Sequence, residues 1–249
     1  MGTEYEAAMQ ESIRELQGMV EKGDVKGVYV KSGKPGQFFA GGDIKDMLAM
    51  DLDVDVEEKT RMYDALMETK QPLRSLETLG VPVAVGINGP GLGGGYEIAL
   101  SCHYRIGLND VVVGLPEAAI GLMPGAGGVV RLTRLLGMQN AMPLIAQGKR
   151  VKAPKALELG LLDELANDEQ DMEKKAKAWI LANPEACQPW DKDGYVMPGG
   201  GPDDDANQGF VFLGPANTMG QTKNLMPAQN AIFGCITDCA RVDFDTAQK

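Results

Sequence analysis

The stretch NGPGLGGGYEIALSCHYRIGLNDVVVGLPEAAIGLMPGAGG, residues 88–128, decides how the rest of the chain is read. The apolar run VPVAVGI, residues 81–87, leads straight into it and has the length and β-branched content of a buried strand. Gly91, Gly93, Gly94 and Gly95 then form a turn, and an apolar helical pattern begins at Tyr96. Strand, glycine turn and helix N-terminus follow in that order. The first amides of a helix lack intrahelical partners, and the helix dipole favours negative charge beside them. Glycine also lets a ligand approach the backbone closely. The Gly94 N–H is therefore a candidate donor to a developing oxyanion. Glu97 lies three residues on, one helical turn away and on the same side. A second carboxylate, Glu117, follows Pro116 after the expected strand 111–113.

Taken singly, each of these features has a plainer reading. A glycine-rich turn after a strand is usually a turn and nothing more, or a phosphate cradle. The spacing excludes two cradles: no Gly-Lys-Ser/Thr follows, and Gly91, Gly93 and Gly95 miss the last step of the dinucleotide fingerprint. A glutamate in a first helical turn is more often a dipole-favoured surface residue than a base.

Four motifs in fixed order change that balance. They are Phe38-Phe39-Ala40-Gly41-Gly42-Asp43-Ile44-Lys45, the run Asn88 to Glu97, Gly114-Leu115-Pro116-Glu117, and Gly121-Leu122-Met123-Pro124-Gly125-Ala126-Gly127-Gly128. Together they resemble the enoyl-CoA hydratase/isomerase superfamily, the crotonases, over about Thr3 to Leu165. The resemblance implies an α/β fold, a crotonase-like ββα spiral over residues 1–186. Residues 187–249 are then a C-terminal, partly helical extension or linker region. Crotonases begin with a strand and turn ahead of the first helix, so the first strand of the core is expected to be missing here.

Composition sets the outer bounds. A chain of 249 residues holds one large domain, or a core with an appendage. A formal net charge of −11 argues against nonspecific nucleic-acid and anionic-membrane partners. No apolar run reaches membrane-spanning length and no signal peptide opens the chain, so the expectation is a soluble, cytoplasmic protein. Cys102, Cys187, Cys235 and Cys239 form no CxxC pair. With His103 as the only histidine, free thiols are expected and a metal site is not.

In chain order, Tyr5, Met9, Ile13, Leu16 and Val20 recur at helical spacing. Thr3 and Glu6 stand at capping-box positions, and Gly23 ends the helix. Residues 25–31 read as a short strand and 61–79 as a helix with Met62, Leu66, Leu73 and Leu76 inward. The acidic run 51–58 reads as a solvated loop or helix start. Helix 129–137 opens after Pro124 to Gly128. Residues 149–164 resemble the turn, helix and strand that close a crotonase core. From Cys187 the composition turns to Gly and Pro, with a weak helical pattern only over 227–242. The segment from Trp190 to Gly200 resembles the one after the hydratase module in fatty-acid oxidation multifunctional enzymes. The resemblance thus implies a module cut from a longer chain that carries a dehydrogenase, or else a homo-oligomer.

For chemistry, the resemblance implies hydration of trans-2-enoyl-CoA to 3-hydroxyacyl-CoA. Gly42 and Gly94 would supply the oxyanion-hole amides. Glu97 would help to activate water and Glu117 would protonate Cα. Ala40, Gly41, Asp43 and Ile44 would border the adenine of CoA, largely through backbone groups. No cofactor is implied, since CoA enters as part of the substrate. An enoyl-CoA isomerase needs only one carboxylate, so retention of both favours the hydratase. A non-catalytic crotonase-fold assembly module is the other alternative.

Overall fold

A computed structural model describes residues 3–41, 53–223 and 225–249. Helix α1 spans Thr3–Glu21, and strand β1, Val28–Lys31, follows it. Helix α2 is Val56–Glu77, then β2 Val83–Ile87, β3 Gly91–Leu92, α3 Gly94–Leu100, β4 Tyr104–Leu108 and β5 Val112–Gly114. A 3₁₀ turn at Glu117–Ile120 leads to α4 Gly128–Leu136 and α5 Met138–Ala146. The chain continues through β6 Val151–Lys152, α6 Ala153–Glu158, β7 Glu164–Ala166 and α7 Glu169–Ala182. Helices α8 Asp205–Thr222, α9 Pro227–Cys239 and α10 Phe244–Ala247 close it.

The main sheet has the order β1-β2-β4-β7, and every pair in it is parallel. Val28 to Lys31 pair in register with Val83 to Gly86, as the sequence reading expects. Parallel neighbours need a long crossover, and the chain between β1 and β2, which contains α2, supplies it. All five residues of β2 are buried. Val83, Val85 and Ile87 face the main core with Leu76, Tyr96 and Leu100. Ala84 faces the opposite side, where Met172, Ala176 and Ile180 of α7 cover it. A strand buried on both faces has no solvated side on which to alternate, hence the unbroken apolar run. A second sheet, β3-β5-β6, joins a parallel pair to an antiparallel one. These are the repeated strand and helix units of a spiral α/β fold.

The helix that the spacing starts at Arg61 begins instead at Val56. Asp55 caps it by accepting the Glu58 N–H at 2.8 Å, so the end of the acidic run belongs to a helix start. Leu73 and Leu76 are buried as expected, whereas Leu66 is 44% exposed. Helix α8 has no counterpart in the sequence reading, because Gly209, Gly214, Pro215 and Gly220 all lower helix propensity. The tail is packed onto the core. Ile232 and Ile236 of α9 join the main cluster, and Trp190 stacks on Phe244 at 5.2 Å. Among the described residues no helix is long and apolar enough to cross a membrane.

Gly95 shows how closely the strands approach α3. A Cβ there would fall 2.1 Å from the backbone oxygen of Phe39, which has no rotamer by which to move aside. Gly95→Ala is expected to lower stability by about 1–3 kcal/mol, in the range of core overpacking. A urea-unfolding curve that overlays the parent's would contradict this.

His103 has a structural role. Its Nδ1 accepts the Val83 N–H at 3.0 Å and Nε2 lies 2.9 Å from the Glu77 carbonyl, which assigns the proton to Nε2. Burial lowers its pKa below the ordinary histidine value, against a partial rise from the Glu77 carbonyl. The unfolded chain then takes up a proton first as pH falls, so this contribution is full above about 6.5 and is lost below it. Between about pH 7.5 and about pH 5.5 the parent should lose more stability than a His103→Gln variant does. Equal losses would rule this role out.

Candidate active site

The glycine turn is built by two neighbouring segments. Phe39 pairs with Gly91 in an isolated parallel bridge; its N–H donates to Pro90 O at 3.2 Å and its carbonyl accepts from the Leu92 N–H at 3.0 Å. Gly93 N–H donates to Gly114 O at 2.9 Å, which ties the turn to the end of β5. Gly93 itself has φ +56 and ψ −130, a conformation open to glycine and costly for other residues. A Cβ at Gly93 would lie 2.8 Å from Glu117 Oε1 and 3.5 Å from Gly41 Cα. Gly41, Gly93 and Glu117 therefore surround one small space. Gly94 opens α3, where its N–H has no intrahelical acceptor. Ala40 is exposed and Gly41 half-buried at the edge of this space. Gly42, Asp43 and Ile44 lie outside the described residues, so convergence of the Gly42 and Gly94 amides is not described.

Glu97 lies in the first turn of α3 and is 2% exposed. Its Oε1 accepts two amides, from Gly128 at 2.7 Å and from Ala126 at 2.8 Å. These amides belong to the N-terminal end of α4, so the helix dipole adds to the hydrogen bonds. Burial pushes the Glu97 carboxyl up. The Gly128 and Ala126 amides and the charges of Arg131 and Lys70 oppose that rise.

Glu117 begins the 3₁₀ turn after β5 and is half-buried. Its Oε2 is buried with no hydrogen-bond partner among the described residues. Burial raises its pKa to about 7, and the Glu97 charge adds to the rise. Two carboxyls from separate segments thus lie within electrostatic reach of each other in unlike settings. One is supported by two amide donors and nearby cations, the other has one oxygen buried without a partner. Carboxyls in unlike settings are the kind of pair that acid–base chemistry uses.

A buried support, absent from the sequence reading, holds this arrangement. Arg131 of α4 is fully buried. Its Nε donates to Glu77 Oε1 at 2.7 Å, one terminal nitrogen to Glu77 Oε2 at 3.1 Å, and the other to the Ala126 carbonyl at 2.9 Å. Ala126 is one of the two residues whose amides hold Glu97. A charged residue within the apolar helix GVVRLTRLL was the available signal. Among the described residues no cluster of histidine, cysteine or acidic side chains has the make-up of a metal site.

With this geometry in place, the comparison with known proteins is direct. Residues 5–186 match the pattern of the family described as Enoyl-CoA hydratase/isomerase. The chain belongs to that family. It is 36% identical over 182 residues to the "Fatty acid oxidation complex subunit alpha" of Idiomarina loihiensis, covering 72% of this chain and 25% of that one. The protein of the same description from Psychrobacter arcticus is 39% identical over 170 residues, covering 67% and 23%. The chain therefore spans about a quarter of the length of the curated relatives it matches. Among solved structures, enoyl-CoA hydratase from Bacillus anthracis superposes with a TM-score of 0.63 at 25% identity, over 99% of this chain and 77% of that one.

Proposed function

We propose that the chain adds water across the double bond of trans-2-enoyl-CoA thioesters, giving 3-hydroxyacyl-CoA as in fatty-acid β-oxidation. The observation that carries this reading is the unlike pair, Glu97 under two amides and Glu117 with its Oε2 buried and unpartnered. In the proposed step a water oxygen bonds to Cβ while Glu97 takes its proton. The electron pair of the double bond moves onto the thioester, whose oxygen becomes negative. Gly94 N–H, with Gly42 N–H as its proposed counterpart, donates to that oxygen. Loss of one donor of this kind costs on the order of 10²–10³ in rate elsewhere. Collapse of the enolate takes the Glu117 proton to Cα, and the two carboxyls exchange roles in dehydration. CoA enters with the substrate, and Ala40, Gly41, Asp43 and Ile44 are the proposed border of its adenine.

The pH dependence tests the role of Glu117. Hydration needs this carboxyl protonated, and its pKa is pushed up to about 7. The hydration rate is expected to fall as pH rises through about 7, while dehydration of the 3-hydroxy thioester gains there. A hydration rate that stays level across that range would remove Glu117 from the proton-donor role. A chain that shifts the double bond of 3-enoyl thioesters without hydrating 2-enoyl ones would support the isomerase reading instead.

A further inference from the structure

Two thiols in the tail stand apart from the chemistry above. Cys235 and Cys239 lie four residues apart on α9, and their sulfurs are 3.4 Å from each other. Both are half-buried, as is Cys187, whereas Cys102 is fully buried; among the described residues Cys235 and Cys239 are the two whose sulfurs meet. Residues four apart on a helix have Cα atoms about 6 Å apart, from a rise of about 1.5 Å per residue. That lies inside the range disulfides span, about 4.4–6.8 Å. Closing the bond needs the sulfurs to approach from 3.4 Å to about 2 Å, and the Cβ atoms to draw in from about 5–6 Å, as in a regular helix, to about 3.5–4.5 Å. Cys239 is the last residue of α9, where helices fray, so closing the bond opens the last turn and leaves the rest of the helix in place.

We propose that Cys235 and Cys239 are a peroxide-oxidisable dithiol that closes to an intrahelical disulfide and withdraws the Cys239 sulfur from Ala247. The second half follows from a contact at the end of α9: the Cys239 thiol donates to the Ala247 carbonyl at 3.4 Å. It is one of the bonds that hold the α10 segment, beside Lys70 Nζ to Gln248 O at 2.7 Å and Tyr63 Oη to Lys249 O at 3.1 Å.

The order of attack follows from the surroundings. The Cys235 thiol lowers the Cys239 pKa to about 7, with the Arg134 and Lys70 charges helping and burial and Asp238 opposing. The Cys235 thiol is raised by the same contact. Cys239, at the end of α9, is then the thiol that gives up its proton, and with it the bond to the Ala247 carbonyl, as it attacks a hydroperoxide. Its sulfur takes one peroxide oxygen to become a sulfenic acid, and the other oxygen leaves as water or alcohol. Cys235 sulfur attacks that sulfenic sulfur, and its oxygen leaves as a second water. The two thiols supply the two electrons that cleave the O–O bond.

The test uses the full chain and hydrogen peroxide. The titre of free thiols in the denatured chain should fall from the four of the sequence to two, a loss of one pair. Unreduced peptide mapping should find the segment of α9 lighter by two hydrogens. Amide exchange over 244–249 should quicken on oxidation in the parent. In Cys235→Ser, which keeps the Cys239 thiol, dimedone should trap a sulfenic acid at Cys239. Four free thiols after treatment, a bridge involving Cys102 or Cys187, trapping at Cys235 in Cys239→Ser but none at Cys239 in Cys235→Ser, or unchanged exchange at 244–249 would each overturn the proposal.

Discussion

Glu117→Gln is expected to slow hydration of crotonyl-CoA by roughly 10²–10⁴, the usual range for a positioned acid or base. The chain should stay folded and still bind the thioester. Glutamine nearly matches glutamic acid in size and fits the half-buried place after β5. It removes only the proton that the raised pKa keeps on Glu117 near neutral pH. The loss should therefore fall on kcat, with KM little changed. Near-normal turnover in this variant would refute the role. Glu97→Gln should be comparably harmful to turnover. Both the Gly128 and Ala126 amides depend on the single oxygen Oε1, and an amide nitrogen in its place would repel them, so a reading from Glu97 alone mixes chemistry with the support of that loop.

Arg131→Met should cost about 3–5 kcal/mol of stability, the range for removing one partner of a buried ion pair. Glu77 would remain in the core at 2% exposure, without the two hydrogen bonds it now accepts from Arg131. Arg74 stands 3.4 Å from Glu77 and replaces only part of that support. Burial already raises the Glu77 pKa against the opposing Arg131 charge, so without Arg131 the carboxyl should take up a proton. The double change Glu77→Leu with Arg131→Met should recover much of the loss, because no buried charge is then left alone. Urea unfolding of the three chains measures this. A single variant that loses less than about 1 kcal/mol would show that the pair contributes little. Hydration should also fall in Arg131→Met, since the Ala126 carbonyl loses its bond and the loop that holds Glu97 loosens.

The main features of the fold were legible from local patterns. Val83 to Ile87 and the glycines after it form a strand and turn on composition alone, and the sheet pairs β2 with β1 as the crossover argument requires. Both glutamates stood in motifs that resemblance could recognise. What local pattern does not carry is the convergence across the core. Glu77 and Arg131 are 54 residues apart and meet only once α2 and α4 are packed. Ala126 and Gly128 reach Glu97 across 29 and 31 residues. Helix α8 was illegible for a different reason. Its glycines and Pro215 oppose a helix locally, and packing near the tail, such as Phe210 against Phe233 at 5.3 Å, supplies what propensity lacks. The acidic run 51–58 reads as a solvated loop or a helix start, and the Asp55 cap, with Glu58 three residues on, decides for the helix start at its end.

The central claim is that Glu97 and Glu117 together add solvent oxygen to a 2-enoyl thioester. Its most direct test is the reaction of this chain with crotonyl-CoA in ¹⁸O-water, followed by mass spectrometry of the thioester. The account predicts 3-hydroxybutyryl-CoA carrying one ¹⁸O at Cβ, formed catalytically by the parent and strongly slowed in both Glu97→Gln and Glu117→Gln. A folded parent chain that binds crotonyl-CoA yet returns it unlabelled and unhydrated would contradict it.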